Sequence, residues 1–301
     1  MIENRNYGGN IMADHLIRGL GLNDEVRIFA VDTTDTINEA VTRHAAYPTA
    51  AAALGRTMSA GVMMGAMLKG DDKNTITIEG GGPIGAIVVD SDAHGHVRGY
   101  LGNPQVHFDL NDQGKLDVRR AVGTNGYLRV AKDIGLKDNF VGSTELVSGE
   151  LGEDFSYYFY ASEQVPSIVA LGVLVNPDNT IQAAGGFIIQ VLPSASEETI
   201  NWLNDRAKEM TPVSKLLAQG LSPNEIIDQA IGKENWRQLS EMPVSFECNC
   251  SKERFINAIA ALDPKEIMAM IKEDGGAEAD CHFCRNKEWI TKEELTELIT
   301  H

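Results

Sequence analysis

Four cysteines stand in two close pairs, Cys248-Asn-Cys250 and Cys281-His-Phe-Cys284, and the first 247 of the 301 residues contain none. Thirty residues separate the pairs. Thiolate is both a soft metal ligand and the form of sulfur that oxidants attack, so the spacing supports two chemistries. Two pairs converging on one ion make a tetrahedral zinc site with four thiolate ligands. The same two pairs can also close into two short disulfides. Free cysteines are common as small buried apolar residues, but Cys-Asn-Cys runs into Ser251-Lys-Glu-Arg254, too polar a setting for that role. Zinc knuckles usually space their cysteines by roughly two to four residues. A single intervening residue strains the ring and makes a poorer structural knuckle, which suits a site whose metal is meant to leave. Four thiolates complete the tetrahedron, so His282 reads as a spacer or a partner of the ligands.

Other candidate motifs carry less. Gly80-x-Gly82-x-x-Gly85 matches a dinucleotide fingerprint, which requires a helix after it. Pro83 lies inside the motif and Ala86-Ile-Val-Val-Asp90 reads as a strand, so a tight turn between strands is expected. His94-Gly-His96 reads as a hairpin turn rather than a metal pair. Glu145, Glu150, Glu153 and Asp154 have no basic or nucleophilic partner nearby in sequence. No G-x-S-x-G, P-loop or H-E-x-x-H occurs, which weighs against a conventional enzyme.

The elements that must position the cysteines follow a change of texture along the chain. Residues 14 to 45 read as an amphipathic turn, a strand at Val26–Val31 and a helix near Thr36–His44. A helix is expected over 49–69, after Pro48 and before Gly70. Its Ala50–Leu68 stretch, with Gly61 and Gly65 in a GxxxG, imitates a membrane span, but Arg56, Thr57 and Ser59 mark it as a buried core helix. Strands are expected at 75–79, 86–90, 97–101, 156–162, 169–175 and 186–192, with a turn at Asn176–Asn179. After Pro193 come short helices: one opened by Ser194 and Glu197, one starting at Thr211-Pro212, and one at Ser222-Pro223 with Glu225, ending at Gly232. Helices this short need a neighbour to pack against. The last 58 residues hold a helix capped by Ser251, another starting at Asp263-Pro264 and a capping box at Thr291 and Glu294. So small a module needs a staple, and metal is the obvious one.

The predicted organisation is an α+β chain: a leader or extension at 1–11, a sheet-rich domain at 12–193, a helical linker at 194–243 and a zinc-binding module at 244–301. An apolar content of 43 % supports a substantial core. The net charge of −17 argues against nucleic acid and against anionic membrane surfaces. Residues 1–11 lack the apolar run of a signal peptide, so a reducing, cytoplasmic setting is expected.

Ala53-Leu-Gly-Arg-Thr57, Glu79-Gly-Gly-Gly-Pro-Ile-Gly85, Gly99-x-x-x-Asn-Pro104, Arg119-Arg-Ala-Val-Gly123, Ala184-Gly-Gly186 and the C-x-C…C-x-x-C tail together resemble the Hsp33 family of redox-regulated bacterial chaperones. The resemblance runs from Met12 onward. It implies a compact, zinc-bound and largely inactive reduced form, with Cys248, Cys250, Cys281 and Cys284 as ligands. It further implies that oxidants such as peroxide or hypochlorous acid, together with unfolding conditions, close Cys248–Cys250 and Cys281–Cys284 disulfides, release zinc and melt tail and linker. The oxidised form is then expected to dimerise and hold unfolding client proteins without ATP. A competing reading is a thiol–disulfide oxidoreductase using Cys281 and Cys284, although the tail lacks the βαβ context of that class. A nucleic-acid-binding zinc ribbon is disfavoured by the charge.

Overall fold

The computed structural model describes residues 13–300. The chain forms two compact units, Met1–Phe246 and Glu247–His301. The expected sheet-rich domain and the expected linker therefore fall within one unit, while the predicted leader at 1–11 lies outside the described residues.

The first unit contains two sheets. One runs in the order β10-β1-β2-β9-β8, built from β1 (His15–Gly21), β2 (Val26–Asp32), β8 (Ser167–Val175), β9 (Ile181–Val191) and β10 (Trp236–Pro243). All its pairings are antiparallel. The other runs β11-β5-β4-β3-β6-β7, from β3 (Lys73–Glu79), β4 (Ile87–Asp92), β5 (His96–Leu101), β6 (Tyr127–Asp133), β7 (Phe140–Glu145) and β11 (Ser245–Phe246). β9 is buried on both faces, and its Ala183–Ile189 stretch is accordingly an almost unbroken apolar run.

Between the sheets lie α1 (Thr34–His44) and α2 (Pro48–Gly65). α2 is the helix that imitates a membrane span, and its small residues have a packing reason. A Cβ at Gly55 would come within 2.8 Å of Ile37, and one at Gly61 within 2.9 Å of Val89. Glycine lets side chains of α1 and β4 close onto the helix backbone, and the apolar surround is protein rather than lipid. Among the described residues no helix is long and apolar enough to cross a membrane. The short helices α3 (Val118–Val122) and α4 (Gly152–Ala161) complete this core.

The far face of the first sheet is covered by α5 (Glu197–Glu209), α6 (Val213–Ala218) and α7 (Pro223–Ile231). Leu203, Val213, Leu217, Ile226 and Ile227 cluster there with Ile17, Val26, Ile28, Phe187 and Ile189. The neighbour these short helices require is thus a sheet face. The Ser222–Glu225 capping box is present, with Glu225 Oε2 accepting Ser222 N at 2.8 Å. The cap of α5 is Ser196, not Ser194: its Oγ accepts Thr199 N at 3.2 Å.

Three sequence expectations are corrected. Residues 15–21 form β1 rather than an amphipathic turn. The stretch 156–162, expected as a strand, belongs largely to α4. Its aromatic run suits either period, but Phe155, Tyr158 and Phe159 are buried at helical spacing. Buried Asp154 fixes the entry, accepting Val147 N, Ser148 N and Leu151 N at 2.8, 2.9 and 2.9 Å. The end of the expected helical linker, Trp236–Pro243, is a strand on the edge beside β1.

The second unit contains α8 (Lys252–Ile259), α9 (Pro264–Glu273), β12 (Gly276–Asp280), β13 (Lys287–Thr291) and α10 (Lys292–Thr300). Its fully buried apolar centre consists of Ile267, Ile290 and Leu295, at 1 %, 0 % and 0 % exposure. The predicted caps at Ser251, Asp263 and Thr291 are all in place.

Candidate metal centre

Cys281 and Cys284 lie on the turn joining β12 to β13. Cys281 N donates to Asn286 O at 2.9 Å, and Arg285 N donates to Cys281 O at 2.8 Å. Arg285 takes a left-handed conformation (φ 59°), which returns the chain to the hairpin. Cys281 and Cys284 are both buried there, 7 % and 6 % exposed. Cys248 and Cys250 lie on an extended segment between β11 and α8 and are half-buried. Ser251 ends that segment by capping α8, its Oγ accepting Arg254 N at 3.3 Å.

None of the four cysteines is in a disulfide, and their Sγ atoms all lie within 4.8 Å of one another. Cys248 Sγ is 3.7 Å from Cys281 Sγ, and Cys250 Sγ is 3.3 Å from Cys284 Sγ. Zn–S bonds of about 2.3 Å arranged tetrahedrally place sulfurs roughly 3.8 Å apart. A disulfide would need about 2.0 Å. The spacing therefore fits ligands around one ion, and these two approaches run between the pairs, so an ion here would join residues 248–250 to 281–284.

Electrostatics agree with the geometry. Burial, then hydrogen bonding with Cys284, pushes the Cys250 thiol well above its ordinary range, and burial also raises Cys284. Four crowded sulfurs resist ionising together, and a divalent cation reverses that preference. Two neighbouring cations are engaged by carboxylates: Lys252 with Glu294 at 2.7 Å and Arg285 with Asp280 at 3.0 Å. His282 is not in the cluster, in keeping with its reading as a spacer.

The other candidates resolve structurally. Gly80–Gly85 turns from β3 toward β4 against α3, with Gly82 N donating to Val122 O at 2.9 Å and no helix following. His94 and His96 belong to the β4–β5 hairpin around Gly95 (φ 87°), and His96 Nδ1 lies 2.9 Å from Asp92 Oδ2. Among the described residues the four cysteines form the one group of at least three such donors. Glu150 does have a basic partner, Arg56 Nη1 at 3.0 Å, hidden from sequence by a separation of 94 residues. Arg254, which the sequence reading does not single out, contacts the residue between Cys248 and Cys250. Its Nη1 donates to Asn249 O at 3.1 Å and to Asn249 Oδ1 at 2.6 Å. Its position in the first turn of the helix after Cys250 was the available signal.

A family model described as Hsp33 protein matches residues 14–291. The 33 kDa chaperonin of Staphylococcus carnosus (strain TM300) is 61 % identical over 286 residues, covering 95 % of this chain and 97 % of that one. The 33 kDa chaperonin of Staphylococcus aureus (strain Newman) is 59 % identical, covering 95 % and 98 %. The crystal structure of the 33 kDa chaperonin (heat shock protein 33 homolog) from Thermotoga maritima is similar at a TM-score of 0.88, with 34 % identity and coverage of 96 % and 98 %.

Proposed function

The chain belongs to the Hsp33 family of chaperones, and on that premise we propose that it holds unfolding proteins without ATP under the control of its four cysteines. The observation that carries the reading is four cysteine sulfurs, none in a disulfide, at ion-binding spacing and drawn from two distant segments of a unit with a very small core. Cys248, Cys250, Cys281 and Cys284 would hold zinc, which when bound keeps the sulfurs as thiolates and crosslinks the two segments.

Oxidation removes those ligands. In each pair two thiolates give up two electrons and form one S–S bond, while one peroxide takes those electrons and two protons from solvent and is reduced to two waters. The bonds formed are Cys248–Cys250 and Cys281–Cys284. Each ties near neighbours, so the crosslink over the thirty intervening residues is lost. A core centred on Ile267, Ile290 and Leu295 is too small to hold a module of this size alone. Residues 247–301 therefore unfold.

Release of the linker is a second step. The sequence reading expected the helices of 194–232 to lose support together with the tail, but α5, α6 and α7 pack on a sheet face in the first unit. They are 13, 6 and 9 residues long, so heat or denaturing conditions must supply what oxidation does not. This accounts for a double requirement of oxidant and unfolding stress. Once open, Ile17, Val26, Ile28, Phe187 and Ile189 offer an apolar sheet face to clients, and a net charge of −17 keeps the complex soluble. The oxidised protein acts as a homodimer in the cytoplasm and catalyses no reaction. Burial of Cys281 and Cys284 speaks against the oxidoreductase alternative, whose attacking thiol must be accessible. The test is light scattering from a denatured client diluted into reduced or peroxide-treated protein at a heat-shock temperature. Suppression by the oxidised form alone supports the reading, and equal suppression by both sinks it.

A further inference from the structure

The two halves of the cysteine cluster are built differently. Cys281 and Cys284 ride on a hairpin whose strands pair from Gly276–Thr291 to Asp280–Lys287. Cys248 and Cys250 lie outside regular structure: β11 ends at Phe246, α8 begins at Lys252, and residues 247–251 between them form no helix or strand. Asn249, between the two thiols, has both its backbone and its side-chain oxygen engaged by one guanidinium nitrogen, Arg254 Nη1, at 3.1 and 2.6 Å. Arg254 is itself set in the first turn of α8, where its own N–H is bonded to the capping Ser251 Oγ. The cap fixes the helix start, the helix start aims the arginine, and the arginine grips the residue between the cysteines.

We infer that Arg254 is the positioning residue of the Cys248–Cys250 half: it holds the Asn249 peptide so that both neighbouring sulfurs face the cluster. It is not a ligand and acts only through Asn249. Its grip also opposes oxidation. A Cys248–Cys250 disulfide draws two sulfurs one residue apart to bonding distance, about 2.0 Å, and the chain through Asn249 must turn to allow it. A turned Asn249 cannot keep both oxygens on Nη1. One residue thus favours retention of the ion and resists closure of the short disulfide. This deepens the proposed gating and rests on the reading of the cluster as a metal-binding thiol switch.

The test uses full-length protein loaded with zinc. Zinc retention is measured by competition with a chromogenic chelator, and the rate of zinc release is followed after addition of peroxide. Loss of a residue that orients a ligand typically costs about 10–100-fold in metal affinity. Arg254→Gln should therefore weaken retention by about 10-fold and speed peroxide-driven release by a similar factor. Arg254→Lys should fall between, because an ammonium keeps the charge but not the planar fork. Asn249→Ala removes the side-chain acceptor, and the double variant should be little worse than Arg254→Gln alone. Wild-type retention and release in both arginine variants would overturn the inference. So would effects of Arg254→Gln and Asn249→Ala that multiply independently. If Arg254→Gln fails to take up zinc at all, Arg254→Lys and Asn249→Ala carry the same two readouts. No client enters the assay, so failure of the chaperone reading leaves this result standing. Absence of zinc binding by the unaltered protein would count against the metal centre itself.

Discussion

Ile227→Ala tests whether the helices over the first sheet open as a unit. Ile227 is 0 % exposed and lies on α7 in the cluster with Ile17, Ile28 and Phe187. α7 is fastened at its end by Arg206, which donates to Gln229 O at 2.7 Å and Ala230 O at 2.9 Å, and by Trp236 Nε1 on Asp228 at 2.8 Å. None of these bonds involves the Ile227 side chain, so the substitution removes packing alone. A buried Ile-to-Ala change costs about 2–5 kcal/mol. If the helices open while the sheet stays folded, the whole cost falls on that local opening. At about 1.4 kcal/mol per factor of ten, the open population rises roughly 30-fold to several-thousand-fold. Hydrogen exchange on reduced, zinc-loaded protein reads this directly: amides of 213–231 should exchange faster by that factor, while those of β9 keep their protection. Reduced Ile227→Ala protein should also hold a denatured client without oxidant. An equal acceleration in β9 would refute the reasoning, because helices and sheet would then unfold together. Faster exchange in 213–231 without any gain in holding would show that the uncovered face is not the client surface.

A chain ending at Phe246 should unfold cooperatively, whereas one ending at Pro193 loses β10 and the covering helices and should aggregate by light scattering; soluble, cooperative behaviour of the shorter chain would overturn the packing argument. Zinc chelation, or Cys284→Ser, should remove exchange protection from 247–301 and leave that of the first unit intact; retained protection in 247–301 would mean its core suffices without metal. Burial, and then the nearby Asp32 carboxylate, pushes the Asp14 carboxyl up to about 7. Unfolded, the same group titrates near about 3.9. Between these values the folded state holds a proton that the unfolded state has released, so this contribution to stability falls as pH rises. Asp14→Asn should therefore improve the urea midpoint relative to the parent on going from pH 5 to pH 8, and an identical pH dependence in both proteins would remove Asp14 from the account.

What the sequence discloses depends on the range of the interaction. The caps at Ser222, Ser251, Asp263 and Thr291 are each set by residues a few positions apart, and each is where local rules put it. Errors came where a distant partner decides. β10 is a strand because β1 offers it an edge more than two hundred residues upstream. Ser156–Ala161 is helical because buried Asp154 caps its entry and Phe155, Tyr158 and Phe159 face the core, which an aromatic run alone does not reveal. The support of α5 to α7 by a sheet face depends on tertiary contacts with Ile17, Phe187 and their neighbours. At the cluster, the coming together of the four cysteines was legible from their spacing. The Arg254–Asn249 contact was not, because it depends on the orientation set by α8.

The most direct test of the central claim is a peroxide titration of zinc-loaded protein at a heat-shock temperature, with released zinc, remaining free thiols and client holding measured in the same samples. The account predicts that one zinc leaves per chain as the four thiols of Cys248, Cys250, Cys281 and Cys284 disappear, and that holding grows in proportion to the zinc released. Full holding while zinc and all four thiols remain in place would contradict it.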